Sequence, residues 1–407
     1  MTNSDTKNFS QNVSSSYHLE DRGKCNKNTC ANARNVPKLR FKGYNDEWKH
    51  VKIGEIYKER SERGNTDAEL LSVTMNDGVK RRIDIEGKDI SSEDKSNYKS
   101  VYIGDMVYNS MRMWQGANGI SNYDGIVSPA YTVMFPKTKL CNNFIGYLFK
   151  YEPLIFLFRR YSQGLTSDTW NLKYPQIKQL SISIPSLLEQ EKIASFLTLI
   201  DKKIEKQKEL VELLKKYKRG LLSAIFSQKL RFKDDNGNNY PAWEEKRLEN
   251  ILKIKHGKSQ KEIECNNGKY PILATGGEIG KTNSYLWDKP CVLIGRKGTI
   301  DKPQYMDTPF WTVDTLFYSE VFKENNAKYL YYLFNTINWK KYDESTGVPS
   351  LSAKTIERIK VTLSINYSEQ LAISKILSKF DDKIQQEEFI LEKLQNYKKG
   401  LLQQMFI

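Results

Sequence analysis

The chain is poor in metal-binding residues and has no long hydrophobic run. It contains five cysteines and three histidines, with no Cys-x-x-Cys pair and with the histidines far apart. Structural zinc sites have regular, closely spaced ligands, so no metal site is predicted. The longest plain apolar run, residues 154–158, is far shorter than the ~20 residues that span a bilayer. An odd cysteine count without an apolar N-terminal leader favours a reducing cytosol.

The motifs of common catalytic sites are also missing. There is no Gly-x-Gly-x-x-Gly run to hold a dinucleotide or a methyl donor, and no Asn-Pro-Pro-aromatic tetrad. The segment 274–282, ATGGEIGKT, has Thr275 where a P-loop needs its first glycine, so we predict a strand-loop-strand with a turn at Gly276-Gly277. The nuclease-like pattern Glu-x-Lys occurs four times in this Lys- and Glu-rich chain and is therefore uninformative. No catalytic residue is predicted.

What the chain does have is positive charge and aromatic side chains. Lys and Arg number 64 against 49 Asp and Glu, a net charge of +15, and 12% of the residues are aromatic. So many aromatic residues can build a hydrophobic core, which excludes a disordered polyelectrolyte. The basic surplus favours a nucleic-acid partner, although a basic protein can also be merely basic.

A segment of 38 residues occurs twice, at an offset of 180. Residues 189–226 and 369–406 align without a gap and are identical at 15 positions. Apolar residues recur three and four apart in both copies, which predicts long helices with a coiled-coil seam. Polar residues interrupt both seams at equivalent places, Gln207/Glu387 and Lys218/Lys398. Independent helices would not share these interruptions, so we interpret the two copies as a duplication.

Each predicted helix is roughly 57 Å long at 1.5 Å per residue, too long to bury its apolar stripe against one small domain. We therefore predict that the two copies pack on each other, the alternative being two helices docked separately on their own domains. The predicted interface residues are Ile193, Leu197, Ile200, Ile204, Val211 and Leu214 in the first copy and Ile373, Leu377, Phe380, Ile384, Leu391 and Leu394 in the second.

A second repeat precedes each helix. Leu-Arg-Phe-Lys, a turn and a tryptophan occur at residues 39–48 and again at 230–243. The segments between are short aromatic and β-branched runs broken by Gly, Asn and Pro, which predict short strands and loops. One helical segment is predicted in each, near 144–161 and 327–341. The predicted fold is therefore α+β, with two globular domains and two long helices in a pseudo-twofold tandem repeat.

The predicted organisation has five parts, and the charge is unequally divided among them. They are a polar tail expected to be disordered (1–36), a first globular domain (37–186), a first long helix (187–228), a second globular domain (229–366) and a second long helix (367–407). Residues 1–38 carry a net +3, the first helix +3 and the second helix 0, which leaves +9 for the globular domains. The positive surplus therefore lies mainly where a ligand would bind.

Base and phosphate contacts need Lys, Arg, Asn, Gln, Ser or Thr on projecting loops. We predict DNA contacts from basic and amide side chains that lie near glycines or turns, the alternative for each being a solvated surface charge. In the first domain these are Lys80, Arg81, Arg82, Arg112, Gln115 and Asn118. In the second they are Lys258, Gln260, Lys261, Lys281, Asn283, Arg296, Lys297 and Thr299. Four tryptophans are interpreted as core residues rather than stacking platforms: Trp114, Trp170, Trp287 and Trp311.

The whole pattern resembles the specificity subunits of type I restriction-modification systems. Three features show the resemblance. The two predicted helices share the pattern Glu-Gln-x-x-Ile…Asp-x-Lys-Ile…Tyr-Lys-x-Gly-Leu-Leu-x-x-x-Phe. The others are the repeated segment Leu-Arg-Phe-Lys…Trp at the start of each globular domain and the segment GVPSLS (347–352). It covers the chain from about residue 37 to residue 406.

The resemblance implies two target-recognition domains separated by two antiparallel coiled-coil helices. Each domain would read one short half of a bipartite DNA site, and because the two domains differ in sequence we predict an asymmetric site. A roughly 57 Å spacer exceeds one turn of DNA, roughly 34 Å, so two separated patches could be contacted.

The resemblance also implies partners. Two methylating subunits would dock on the chain to form a DNA adenine methyltransferase, and two restriction and translocation subunits would complete the endonuclease. S-adenosylmethionine, ATP and Mg²⁺ would belong to those partners, none to this non-catalytic chain, and the complex would be in the bacterial cytoplasm with no membrane contact. The competing hypotheses are a stand-alone nuclease or methyltransferase with a dimerisation coiled coil, and a coiled-coil scaffold with no role in DNA binding.

Overall fold

The computed structural model describes residues 19–21, 35–75, 77–89 and 91–407. These residues divide into two compact units. The first contains the described residues up to Lys206 together with Leu391–Ile407, and the second contains Gln207–Ile390. Each unit therefore holds one globular domain and a part of both long helices.

The first unit is built on a four-stranded antiparallel sheet. Its elements in chain order are β1 (Leu19–Asp21), β2 (Leu39–Phe41), β3 (Lys49–Lys52), α1 (Ile53–Ile56), β4 (Tyr57–Arg60), β5 (Leu71–Thr74), β6 (Gly78–Arg81), β7 (Lys99–Val101), β8 (Met106–Asn109), β9 (Asn118–Ile120), β10 (Gly125–Val127), β11 (Tyr131–Pro136), α2 (Asn142–Leu148), α3 (Glu152–Tyr161), α4 (Tyr174–Ile177) and β12 (Ser181–Ile184). The sheet has the order β4-β11-β8-β9, and the pairs β1–β2, β3–β12, β5–β6 and β7–β10 surround it.

The second unit has a sheet of the same kind. Its elements are β13 (Glu244–Arg247), β14 (Leu252–Lys255), β15 (Tyr270–Ala274), β16 (Gly277–Thr282), β17 (Cys291–Gly295), β18 (Gln304–Met306), β19 (Trp311–Thr312), β20 (Leu316–Val321), α6 (Ala327–Phe334), α7 (Ala353–Arg358) and β21 (Lys360–Leu363). The four-stranded sheet has the order β14-β20-β17-β18, β13 pairs with β21, and β16-β15-β19 form a third sheet.

The main sheets of the two globular domains have the same strand order. In each four-stranded sheet the first, last, second and third strands along the chain lie side by side, and in each unit an antiparallel pair closes the domain next to its long helix. The predicted α+β class and tandem repeat are confirmed. The helical segment predicted near 144–161 is in fact two helices, α2 and α3, while the one near 327–341 is α6 followed by a 3-10 turn at Trp339–Tyr342.

The long helices span Leu187–Phe226 (α5) and Tyr367–Met405 (α8), within one or two residues of the predicted ends. In the second unit, Gln207 Nε2 donates to Glu387 Oε2 at 2.6 Å, and Lys218 forms an ion pair with Asp381. Residue numbers rise along one helix as they fall along the other, so the helices are antiparallel there. The polar interruptions of the two seams are therefore partners in hydrogen bonds and ion pairs.

Most of the predicted seam residues are buried. Nine of the twelve are less than a tenth exposed: Ile193, Leu197, Ile200, Ile204, Val211, Ile373, Leu377, Ile384 and Leu394. The other three, Leu214, Phe380 and Leu391, are partly buried.

Each long helix is tied to the globular domain of its unit by a buried ion pair at its first turn. Arg40 donates from Nε and Nη2 to both carboxylate oxygens of Glu189 at 2.7 Å, and both side chains are 1% exposed. In the second unit Arg231 donates to Glu369 at 3.0 and 3.4 Å. These arginines belong to the repeated Leu-Arg-Phe-Lys segment and these glutamates to the repeated helices, so the pair explains why both motifs occur twice.

A second pair of equivalent contacts ties the helices together. Tyr147 donates to Asp201 at 2.8 Å, and Lys398 lies 2.6 Å from the same carboxylate. Burial, and then the Asp201 charge, raise the pKa of Tyr147, which keeps it a hydrogen-bond donor. In the second unit Tyr332 donates to Asp381 at 2.5 Å beside Lys218.

The C-terminal end of each long helix packs into the other repeat's aromatic core. In the first unit the Phe406 ring lies 5.4 Å from Phe144 and 6.3 Å from Trp48. In the second, the Phe226 ring lies 5.5 Å from Tyr329 and 5.9 Å from Trp243. The tryptophan of each entry repeat therefore covers the phenylalanine that ends the other repeat's helix.

Some predictions concern residues beyond the described part of the chain. The predicted tail, 1–36, lies outside it apart from 19–21, which form β1, and residues 35 and 36; Cys25, Cys30 and His18 also lie outside. The remaining cysteines, Cys141, Cys265 and Cys291, are free thiols. In the described ranges no helix combines the length and the apolar character needed to cross a membrane.

The two buried ion pairs give a matched test of stability. Glu189→Gln leaves the Arg40 guanidinium buried without a counter-charge, which should lower the free energy of unfolding by about 3–5 kcal/mol. Glu369→Gln should cost less, because Arg231 is 28% exposed and water can solvate it. Urea titration of the intact variants, with hydrogen exchange to locate the affected unit, measures both. An equal or larger loss in Glu369→Gln would contradict this account.

Candidate nucleic-acid interface

The first group of predicted DNA contacts lies at the end of the β5–β6 hairpin. Lys80 and Arg81 end β6, and Arg82 opens a 3-10 turn that ends at Asp84. Arg81 donates to both carboxylate oxygens of Asp84, at 2.9 and 3.1 Å. Arg82 donates to three backbone carbonyls between residues 85 and 88, at 2.8–3.0 Å. Arg82 therefore holds its own loop in shape and Arg81 is paired with Asp84, so Lys80 is the side chain of this group that is available for a phosphate.

The second group follows β8. Arg112 is partly buried and Gln115 is exposed, on either side of a short 3-10 turn. Asn118 is 0% exposed, and its Nδ2 donates to the carbonyls of Gly116 and Phe149, each at 3.2 Å. The prediction that Asn118 contacts DNA is therefore wrong, because its amide ties the turn after β8 to the end of α2.

The fold brings these two groups together. A Cβ on Gly119 would lie 2.8 Å from the Cα of Gly78, so β9 and the start of β6 are in close backbone contact that requires glycine. Lys150 Nζ donates to Met75 O at 2.8 Å and to Gly116 O at 2.5 Å. One lysine of the α2–α3 connection thus links the hairpin turn to the turn after β8.

In the second domain the predicted contacts lie on three segments. Lys258 and Lys261 are exposed after β14, where Gln260 is partly buried. Lys281 is exposed in β16 and Asn283 is exposed just after it. Lys297 is exposed in the loop after β17, with Arg296 and Thr299 partly buried on either side.

Residues 311–315 join these segments. The Lys258 backbone N–H donates to Thr312 O at 2.8 Å, and the Arg296 N–H donates to Thr315 O at 2.8 Å. The Arg296 guanidinium also donates to Asp314 O at 3.3 Å. Val313 N donates to Leu273 O in β15, and β15 forms a hairpin with β16, the strand that contains Lys281. Residues 311–315 therefore connect the loops after β14 and β17, while Lys281 lies on β16, at the other edge of the sheet formed by β16, β15 and β19.

Two of the candidate groups occupy equivalent places in the two domains, whereas Lys258, Gln260 and Lys261, after β14, have no predicted counterpart after β4. Lys80 and Arg81 end the β5–β6 hairpin as Lys281 ends the β15–β16 hairpin. Arg112 and Gln115 follow β8, and Arg296 to Thr299 follow β17, the strand at the same place in the other sheet. These residues were predicted separately in two sequences that differ, so their matching positions support a binding surface at the same place in each domain.

The P-loop-like segment has no nucleotide-binding geometry. Gly280, Lys281 and Thr282 are inside β16, not at the start of a helix, and Gly277 has a φ of 116° in the predicted turn. The strand-loop-strand prediction is confirmed. Among residues 35–75, 77–89 and 91–407, no three His, Cys, Asp or Glu side chains are placed to hold a metal ion together.

The four tryptophans interpreted as core residues are all partly buried. Trp114 and Trp170 pack edge to face with ring centroids 5.2 Å apart, and the Arg159 guanidinium lies 5.1 Å from the Trp170 ring. Trp311 Nε1 donates to Lys258 O at 2.9 Å, and Trp287 packs on Tyr318. They therefore brace the candidate loops from one side and keep some exposure.

Sequence reasoning missed two exposed basic pairs. Arg159-Arg160 ends α3, and Lys340-Lys341 lies in the 3-10 turn at the equivalent place in the second domain. Each pair is followed by a tyrosine and then, within a few residues, by glycine and an aliphatic residue. This short repeat is visible in the sequence once the two domains are aligned.

A family model for the type I restriction modification DNA specificity domain matches the chain twice, at residues 45–215 and 241–396. A curated relative, the type I restriction enzyme MjaIX specificity subunit of Methanocaldococcus jannaschii, is 31% identical over 150 residues. That match covers 34% of this chain and 34% of the relative, so it spans about a third of that protein.

Two solved structures have a similar fold. An S subunit of a type I restriction-modification system from M. genitalium has a TM-score of 0.60 and 18% identity, covering 91% of this chain and 99% of that one. A chain from a type I R-M system, solved in work on its complex assembly and conformational transition, has a TM-score of 0.56 and 14% identity, with 88% and 97% covered. The likeness establishes the shared fold of two domains and long helices.

The pH dependence of stability tests the Lys150 link. Burial, and then the Lys398 charge, lower the pKa of Lys150 from 10.5 to about 8. Between these values the unfolded chain retains a proton that the folded chain has lost, so the unfolding free energy rises with pH. Wild type should gain about 2–4 kcal/mol between pH 8 and 10.5 relative to Lys150→Met.

Urea titrations across that range measure the difference. Lys88→Met, at an exposed lysine of the same domain, controls for the loss of one positive charge. Parallel pH curves for wild type and Lys150→Met would show that Lys150 is not buried between the two turns.

Proposed function

The chain belongs to the type I restriction modification DNA specificity family, and on that premise we propose that it is a non-catalytic DNA-targeting subunit. Each globular domain reads one short half of a bipartite site, and the two halves differ in sequence. The observation that carries this proposal is the matched placement of candidate residues after β8 and β17, and on the β5–β6 and β15–β16 hairpins, in two domains whose four-stranded sheets have the same strand order. Exposed Lys and Arg at those loops supply phosphate contacts, and amides such as Gln115 supply base contacts.

The proposed partners are subunits that perform the chemistry. Two methylating subunits dock on the chain and modify adenine, and two restriction and translocation subunits complete the endonuclease. S-adenosylmethionine, ATP and Mg²⁺ are bound by those partners, and the assembly works in the bacterial cytoplasm. The chain contains two units that share the same repeat, which fits a pair of identical partners.

The alternative of a stand-alone nuclease or methyltransferase has little support. The best nucleotide-binding motif lies in a strand, and the described ranges contain no cluster of metal ligands. A scaffold without a DNA role leaves the exposed basic loops unexplained. Incubating the purified chain alone with DNA, Mg²⁺ and a methyl donor separates these cases, since activity without partners would favour the enzyme.

Domain exchange tests whether each globular domain reads its own half of the DNA site. Residues 39–186 are replaced by the matching domain of a relative, and methylated adenines are mapped in cells with the wild-type gene, the chimera or neither. One half of the methylated motif should change while the other is retained, because each domain reads its own half. A change in both halves, or no motif that depends on the gene, would refute the proposal.

Helix length is tested separately. Four residues are inserted after Gln207 in α5 and four after Glu387 in α8, which preserves the Lys218–Asp381 and Lys398–Asp201 pairs within their units. One added helical turn, about 6 Å, should lengthen the unread gap of the motif by about two base pairs and keep both halves. An unchanged gap would mean that the helices do not set the spacing.

A further inference from the structure

Both domains carry the same exposed loop, which none of the predicted contacts includes. In the first tip loop, residues 159–172, the basic pair Arg159-Arg160 precedes Gly164-Leu165. In the second tip loop, residues 340–351, Lys340-Lys341 precedes Gly347-Val348. Leu165 is fully exposed and Val348 is 67% exposed, although both are aliphatic.

The first tip loop is held by its own hydrogen bonds. Gln163 and Asn171 exchange backbone bonds of 3.0 and 2.8 Å across its base. Thr169 closes the far side, donating from its N–H and its hydroxyl to Thr166 O at 3.0 and 2.9 Å. Gly164 has a φ of 146°, and a Cβ there would lie 2.6 Å from Thr169 O. The loop therefore has a defined shape with Leu165 at its outside.

The second tip loop is held by different contacts. Asp343 Oδ1 accepts from the backbone of Ser345 at 3.0 Å and of Ser350 at 2.9 Å, which closes the loop across its base. Glu344 N donates to Ser350 O at 3.0 Å. Two different hydrogen-bond patterns thus each leave one aliphatic side chain exposed, Leu165 in the first loop and Val348 in the second.

Both tip loops are hydrogen-bonded to the segments that carry predicted DNA contacts after β8 and β17. Leu172 N donates to Ser110 O at 2.8 Å, and Leu351 N donates to Arg296 O at 2.9 Å. Ser110 and Arg296 are each the first residue after the equivalent strands β8 and β17. Gly298 N also donates to Pro349 O at 2.8 Å, beside Val348. The last residue of the first tip loop is therefore bonded to the residue that follows β8, and the second tip loop is bonded, beside Val348, to the loop that carries Lys297.

We propose that Leu165 and Val348 are base-contacting residues, one for each half of the DNA site, while the basic pairs behind them take the flanking phosphates. This inference rests on the proposed function. An exposed aliphatic side chain gains stabilisation only when a partner covers it. On a duplex the apolar surfaces are thymine methyl groups and the faces of bases at an opened step, so the contact is with bases.

Leu165→Ala and Val348→Ala test the proposal in the complex assembled with the methylating subunits. The ligand is a fluorescent duplex that carries the site identified by methylation mapping. Each variant should bind this duplex about tenfold more weakly or worse, with little change on a scrambled duplex. Leu165→Ile should retain most of the affinity. Ile103→Ala is the matched control, because Ile103 is also 67% exposed but lies at the other end of β8.

Modified duplexes identify the base surface that is touched. If the tip contacts a thymine methyl group, replacing thymine by deoxyuracil in one half-site should weaken binding by the wild type as much as the alanine substitution does. The alanine variant should then bind the deoxyuracil duplex no more weakly than the thymine duplex. A 2-aminopurine signal that rises on binding wild type but not Leu165→Ala indicates contact at an opened step. Either result supports base contact by the tip.

Two outcomes overturn the inference. If wild type discriminates site from scrambled duplex and both alanine variants bind like wild type, the tips do not contact bases while the proposed function stands. If the variants no longer assemble with the methylating subunits, the tips contact protein instead. If wild type itself does not discriminate, the proposed function fails first.

Discussion

The structure depends on the burial of two apolar seams, each on a helix about 60 Å long. No globular domain of this size covers such a stripe, so each helix needs more than one partner: in the second unit Ile225, Ile373 and Leu377 pack in the globular core, while Gln207 bonds to the other helix at Glu387. As a result α5 begins in the first unit and ends in the second, while α8 does the reverse. The burial of Phe406 beside Trp48, and of Phe226 beside Trp243, belongs to the same arrangement. Each unit is therefore completed by a helix end from the other repeat.

Polar residues in the seam determine its register. Gln207 and Glu387 are equivalent positions of the repeat, and they hydrogen-bond to each other. Lys218–Asp381 in the second unit and Lys398–Asp201 in the first also join equivalent residues of the two copies. Leucine at any of these positions would add apolar surface to the seam, but polar pairs specify one alignment where an uninterrupted seam permits several. The shared interruptions of the two sequences follow from this geometry.

The repeated helices with their ion pairs and the candidate DNA-binding loops obey different constraints. Positions identical in both repeats, such as Glu189 and Glu369, have the same partners in both units, whereas the loops after β8 and β17 share only their place in the topology. Some polar side chains in the candidate loops stabilise the fold of the domain itself. Asn118 is buried against Phe149 O, and Arg82 is used on carbonyls of its own loop, so neither is free for a ligand. A common frame with unlike loops is the arrangement expected of two domains that read different sequences.

The sequence by itself determined the duplication, the two long helices and their seam, and the hairpin turn at Gly276-Gly277. These features depend on residue types at short, regular spacings, and local periodicity is enough to specify them. Only the tertiary structure decided which polar residues remain available for DNA. The role of Asn118 depends on Phe149, and the role of Lys150 depends on Met75, contacts between segments 31 and 75 residues apart. The exposure of Leu165 is likewise the result of hydrogen bonds that hold its loop away from the core, and no pattern of hydrophobicity encodes it.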